Sequence, residues 1–186
     1  RDEQLAARMR VMRLHGMSRD AFDRFSSRTP AWYYEVIAPG FKYNLTDVAA
    51  ALGRVQLARL PTFVQRRRQL AARYLHELKS LPLLLPADAP AGETHAWHLF
   101  VIRLREDAKV TRDGVIGALS EAGIGTSVHY VPLHRQPYWR DRYRLTPEQF
   151  PVAEQAYQRM LSIPLFTAMS DDEQTRVIAA LKAVVR

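Results

Sequence analysis

His95-Ala96-Trp97-His98-Leu99-Phe100-Val101-Ile102-Arg103-Leu104 is the stretch on which the fold turns. Residues 96–104 are almost continuously apolar, with aromatic and β-branched side chains, and they follow a Pro-, Ala- and Gly-rich connector over 81–94. That combination predicts a largely buried strand. Downstream, Thr111 can cap a helix running to about Ala122, closed by Gly123. Residues 125–131, GTSVHYV, read as a second strand. Thr146-Pro147-Glu148-Gln149 and Ser170-Asp171-Asp172-Glu173 each place a hydroxyl residue three positions before a Gln or Glu, the pattern of a capping box. They predict helices over 147–160 and 171–185, with Ser162-Ile163-Pro164-Leu165 as a short extended piece between them. Strand, helix, strand, helix, short strand, helix make a compact α+β unit, its helices on one side of a small sheet.

Upstream of the connector the spacing is helical. Residues 2–14 place Leu5, Met9 and Met12 on one face, and His15-Gly16 ends the run. Residues 17–45 show no period but carry Trp32, Tyr33, Tyr34, Phe41 and Tyr43, which predicts an ordered, packed loop rather than a solvated linker. Thr46-Asp47 offers a helix N-cap, Pro61 can open a new helix, and Phe63, Leu70, Tyr74 and Leu78 recur at helical intervals. Arg66, Arg67 and Arg68 between them read as a largely solvated face, with a partner or phosphate contact as the alternative.

The 186 residues are 47% hydrophobic and 25% charged, in the range of an ordinary globular domain. No apolar run approaches the roughly 18–20 residues that span a bilayer. The absence of cysteine excludes disulfides and thiolate metal sites and suits a reducing compartment. The charged start, Arg1-Asp2-Glu3-Gln4, has no signal-peptide character and reads as an interior position in a longer chain. The net charge of +8 suits nucleic acid, a membrane surface or an anionic small molecule. Only four of the 27 basic side chains are lysine (Lys42, Lys79, Lys109, Lys182), and the rest are arginines spread along the chain.

No nucleophile elbow and no Gly-rich phosphate loop is present. His95 and His98, and His129 and His134, lack patterned carboxylates, so no metal site is expected. His129, before a polar and aromatic turn, is either a structural histidine or one lining a ligand pocket. Gly40-Phe41-Lys42-Tyr43-Asn44-Leu45-Thr46-Asp47 sets an ammonium, a phenol and an amide before a helix N-terminus, where an anion such as phosphate is favoured. Asn44 could equally do no more than shape the turn.

At this segment the chain resembles the DegT/DnrJ/EryC1/StrS family of sugar aminotransferases, which are fold type I pyridoxal phosphate enzymes. The resemblance extends through Leu14-His15-Gly16, the aromatic patch 32–36, GFKYNLTDVAAALGRVQL (40–57), HAWHLFVIRL (95–104), GIGTSVHYVPLH (123–134) and SIPLF (162–166), in family order. Among its subgroups, the aminotransferase that makes UDP-4-amino-4-deoxy-L-arabinose also reads KYNLTD and HAWHLF. The resemblance implies a share of a three-layer α/β enzyme. Residues 1–60 would end the large cofactor domain and supply a dimer and active-site loop, 61–80 would be a connecting helix, and 81–186 the small α+β domain.

It further implies that the Schiff-base lysine and the Asp on the pyridine nitrogen lie upstream, so no catalytic residue is expected in this stretch. Asn44 would reach across a homodimer to the phosphate of pyridoxal phosphate. Lys42, Tyr43 and His129 would lie where a nucleotide-sugar enters, and glutamate would donate the amine. Some relatives carry Asn and Arg where this chain has Lys42 and Asn44. A cytoplasmic enzyme with no membrane or nucleic-acid partner follows, completed by the missing N-terminal half. The rival readings are a basic nucleic-acid- or anion-binding module and a non-catalytic truncated dimerisation partner.

Overall fold

The computed structural model describes residues 2–18 and 35–185, which fall into two compact units, residues 1–58 and 59–186. In the first, α1 (Glu3–Met12) is capped by Asp2, whose Oδ1 accepts from Leu5 N at 2.9 Å. His15 and Gly16 end it with φ of 55° and 75°. Glycine is required at two places here. A Cβ on Gly16 would lie 1.7 Å from the Ala38 carbonyl oxygen, and one on Gly40 would lie 2.0 Å from Gly16 N. This close approach lets residues 41–43 pair with 12–15: Phe41 N donates to Met12 O, His15 N to Phe41 O and Tyr43 N to Arg13 O. Trp32, Tyr33 and Tyr34 of the expected aromatic loop lie outside the described residues.

α2 runs Asp47–Leu78 without interruption, with Thr46 Oγ1 accepting from Ala49 N at 3.2 Å. Pro61 therefore sits inside a helix instead of opening one. Its ring removes one donor to the Leu57 carbonyl. Leu57 is 68% exposed, so water can take that carbonyl and the helix continues.

In the second unit, β1 (Leu83–Leu84), β2 (Phe100–Leu104) and β3 (Met160–Ile163) form an antiparallel sheet in that order. Register fixes which residues share a face. Leu83 opposes Leu104, Phe100 opposes Ile163 and Ile102 opposes Leu161, and all six are buried. They pack with Leu70, Tyr74 and Leu78 of α2, Val115 and Leu119 of α3 (Arg112–Glu121), and Val177, Ile178 and Leu181 of α6 (Asp171–Val184). α4 (Pro137–Tyr143) and α5 (Pro151–Arg159) occupy the chain between α3 and β3. Tyr74 is fully buried and donates its hydroxyl to Pro164 O at 2.9 Å, and burial pushes its phenol pKa up.

The caps at Thr111 and Ser170 are made: Gly114 N donates to Thr111 Oγ1 at 3.1 Å, and Ser170 and Glu173 exchange bonds of 2.7 and 3.1 Å. The Thr146–Gln149 capping box is also present, with Thr146 N donating to Gln149 Oε1 at 3.0 Å, but it heads a 3-10 turn, Pro147–Gln149, and α5 starts afresh at Pro151. Three further differences from the sequence expectations have local causes. β1 falls inside the connector, because two paired residues between Pro82 and Pro86 leave no period to read. β2 starts at Phe100 rather than residue 96, since Trp97 takes a left-handed φ of 48° that breaks an extended run. Residues 125–131 make one bridge, Ser127 to Ser162, and no regular strand. Pro132, without an N–H, could not have extended the ladder.

Arg66 and Arg67 are not a solvated face. Arg67 Nη1 donates to the carbonyls of Trp97, His98 and Leu165 at 2.8, 3.1 and 3.3 Å. Arg66 Nη2 bonds Asp171 Oδ1 at 2.8 Å. Carbonyls left by irregular segments must be satisfied, and α2 brings guanidinium groups to do it. Arg68 alone of the three is exposed.

Candidate functional site

The expected site residues fall in both units. Lys42, Tyr43 and Asn44 follow one another in the first, on the exposed segment between the Gly16–Gly40 crossing and α2. Backbone bonds to residues 12–15 hold this segment extended through position 43. Phe41 and Tyr43 stack with centroids 4.9 Å apart and planes 5° from parallel. That is the two-residue period of a strand, and it sets Lys42, bridged to Leu14, on the opposite side from both rings. Tyr43 is 68% exposed. Asn44 is exposed too, and among the described residues no hydrogen bond holds its side chain.

Thr46 Oγ1 takes the Ala49 N–H and Thr46 O takes that of Ala50. The two amides before them, at the positive end of a long helix, remain for a ligand or water. An amide, an ammonium and a helix N-terminus suit the phosphate edge of a cofactor.

His129 belongs to the second unit. Its ring is half-buried, and Nδ1 lies 2.8 Å from Ser162 Oγ. Tyr130 packs edge-on to it and is 75% exposed. The position follows from register. Ser127 and Ser162 exchange both backbone bonds, so their side chains share a face, and His129 two residues on returns to it. That face is opposite the core face of Leu161 and Ile163. Ser162 was missed in the sequence, where SIPLF (162–166) carries it as one small residue before a run of apolar ones. Its signal is the alternation Leu161-Ser162-Ile163, one polar residue between two that face the core.

Two other histidines, His95 and His134, are engaged by the protein itself. His95 Nδ1 accepts from Trp97 N at 2.8 Å, and the two rings stack at 4.0 Å. His134 is 4% exposed, with Nε2 2.9 Å from Glu154 Oε2, and it stacks on Phe150. Arg135 grips the same carboxylate through Nε and Nη2, and Gln158 Nε2 adds a bond of 2.8 Å. The Arg135 bonds first, then His134, hold the Glu154 carboxyl down to about 2. Sequence reading missed this cluster because its members are about 20 residues apart, with no spacing rule to join them. It fastens the segment just after His129 to α5. A hollow of about 530 Å³ lined by Arg103, Arg105, Arg159, Glu106, Asp107 and Gln155 contains none of the expected site residues. Its two acids are already bonded, Asp107 to Arg105 and Glu106 to Gln155.

Residues 1–182 match the DegT/DnrJ/EryC1/StrS aminotransferase family. The spore coat polysaccharide biosynthesis protein SpsC of Bacillus subtilis is 44% identical over 187 residues, covering 100% of this chain and 48% of SpsC. Among solved structures, Spr1654 of Streptococcus pneumoniae in its PMP-form superposes with a TM-score of 0.80 at 29% identity, over 100% of this chain and 46% of that one. The aminotransferase TlmJ of Streptoalloteichus hindustanus gives 0.72 at 34% identity, over 98% and 45%. The chain thus spans about half the length of the curated relatives it matches. Its small antiparallel sheet with helices is the α+β arrangement found within fold type I aminotransferases. Spr1654 is also known in a PLP-form, in keeping with pyridoxal phosphate as the family cofactor. The chain belongs to the DegT/DnrJ/EryC1/StrS aminotransferase family.

Proposed function

We propose that the complete protein moves the amino group of glutamate to a keto carbon of a nucleotide-linked sugar, and that this chain supplies part of the cofactor and substrate site. The observation that carries the reading is the exposed Lys42-Tyr43-Asn44 segment at the head of α2, pinned by backbone bonds yet with its amide unengaged. Pyridoxal phosphate, when bound, supplies the electron sink for moving the amine. Asn44 would hold its phosphate from across a homodimer, while Lys42, Tyr43 and His129 contact the nucleotide-sugar. Residues 1–60 would belong to the large cofactor domain, 61–80 to a connecting helix and 81–186 to the small domain.

No lysine of this chain has the setting of the family's Schiff-base lysine, so the 186 residues alone should not transaminate. The KYNLTD and HAWHLF blocks support a UDP-linked 4-keto pentose as substrate. The likeness to a spore coat polysaccharide protein supports a surface polysaccharide as the destination of the product. A cysteine-free chain with a nucleotide-sugar substrate fits a cytoplasmic enzyme. The arginine excess does not point to nucleic acid, because Arg66, Arg67, Arg73, Arg112 and Arg135 are bonded to backbone or side chains of the protein itself.

The test is the complete enzyme with pyridoxal phosphate, glutamate and nucleotide-linked keto-sugars. Amino-sugar and 2-oxoglutarate should appear in equal amounts. Asn44→Ala should weaken cofactor retention by ~1.5–3 kcal/mol, the worth of a hydrogen bond to a charged group. No amination of any such sugar, or unchanged retention in the variant, would refute the assignment.

A further inference from the structure

We infer that Ser162 is a positioning residue that locks the His129 imidazole in the tautomer protonated on Nε2, so that it presents a fixed hydrogen-bond donor to an oxygen of the bound substrate. The ligand half of this inference rests on the function proposed above, and the lock itself does not.

The lock follows from counting donors and acceptors. Ser162 is 5% exposed, and its hydroxyl has a proton to place. Its backbone is fully engaged: N donates to Ser127 O at 2.7 Å, and O accepts from Ser127 N at 3.1 Å. Across the sheet it faces Val101, whose side chain carries no acceptor. Among the described residues the one side-chain partner is His129 Nδ1 at 2.8 Å. If Nδ1–H donated to Oγ, the serine proton would be buried without an acceptor, a costly arrangement. The serine must donate, and Nδ1 must accept. The neutral ring then carries its proton on Nε2, the tautomer being set by the bond at the other nitrogen.

The lock is also rigid. Ser162 lies in β3, held in register with β2 on one side and bridged to Ser127 on the other. The segment just beyond His129 is fixed in turn by the His134–Glu154–Arg135 cluster. A ring held in this way selects for acceptor oxygens, such as those of a sugar or its diphosphate, and offers no lone pair at Nε2.

Histidine ring nitrogens give distinct ¹⁵N signals when protonated and unprotonated. In the full chain, labelled in histidine and kept at a pH where imidazoles are neutral, His129 should show an unprotonated Nδ1 and a protonated Nε2. Ser162→Ala should blur this into a mixture of tautomers, while Ser162→Thr, which keeps the hydroxyl on a strand-compatible side chain, should restore it. A protonated Nδ1 in the unmodified chain, or an unchanged pattern in Ser162→Ala, overturns the lock. If the alanine variant does not fold, the unmodified chain and Ser162→Thr still decide. In the complete enzyme, Ser162→Ala should raise KM for the nucleotide-sugar roughly five- to tenfold, the scale of one neutral hydrogen bond. The glutamate half-reaction should keep its rate. An unchanged KM overturns the donor role. Absence of any amination overturns the ligand half, while the ¹⁵N pattern by itself still decides the lock.

Discussion

Arg67→Ala should destabilise the second unit far more than Arg68→Ala, although the two arginines are neighbours on one helix. Arg67 reaches carbonyls in two separate segments: Trp97 and His98 before β2, and Leu165 after β3. Trp97 and Leu165 are 3% and 8% exposed, so water cannot readily replace the guanidinium there. The His98 residue is exposed, and its carbonyl can be rehydrated. Counting the Trp97 bond in full, the longer Leu165 bond in part and the His98 bond not at all gives a loss of about 2–4 kcal/mol, at ~1.5–3 kcal/mol per hydrogen bond to a charged group. Arg68 is exposed, so its replacement should stay within about 0.5 kcal/mol. Arg67→Lys should fall between, since one ammonium lacks the forked geometry. The assay is urea denaturation, reading the midpoint with the slope unchanged. Equal midpoints for Arg67→Ala and Arg68→Ala would refute the reading, and Arg67 would then be a solvated charge after all.

Gly40→Ala would place a methyl 2.0 Å from Gly16 N, so the 12–15 pairing with 41–43 should be lost at a cost of about 3 kcal/mol or more; hydrogen exchange at the amides of His15, Phe41 and Tyr43 reads it. The Glu154 carboxyl, held down to about 2, contributes stability that is complete above the ordinary glutamate range and is lost as pH falls towards 2. Melting temperature should therefore drop across that acid window, and Glu154→Gln should flatten the drop; an unchanged acid limb would count against the cluster. In the complete enzyme, His129→Ala should raise KM for the nucleotide-sugar while sparing the glutamate half-reaction, whereas equal damage to both would assign His129 to folding.

Much of the fold was legible because its signals are local. Caps at Thr46, Thr111 and Ser170 are set by residues three apart. The errors came where a local rule met a tertiary one. Pro61 is an opener of helices by propensity, yet α2 runs through it at a point where Leu57, the residue whose carbonyl loses a donor, is exposed. Arg66 and Arg67 look solvated on a helical wheel, yet the segments flanking β2 and β3 bring bare carbonyls to Arg67, and Asp171 brings a carboxylate to Arg66. The sequence marks three adjacent residues, Lys42, Tyr43 and Asn44, as candidates for the site, while the pairing that puts Lys42 across from Tyr43 was not legible in it.

By itself the sequence determined the α+β class, the helix starts after Thr46, Thr111 and Ser170, and the blocks that carry the family likeness, all properties of residues within a few positions of one another. Tertiary structure alone decided that Ser162 meets His129, that His134 meets Glu154 and that Arg67 meets Leu165. Those contacts join residues 33, 20 and 98 positions apart. Hydrogen bonds act over about 3 Å, so such partners are chosen by strand register and helix packing, which no short window of sequence contains.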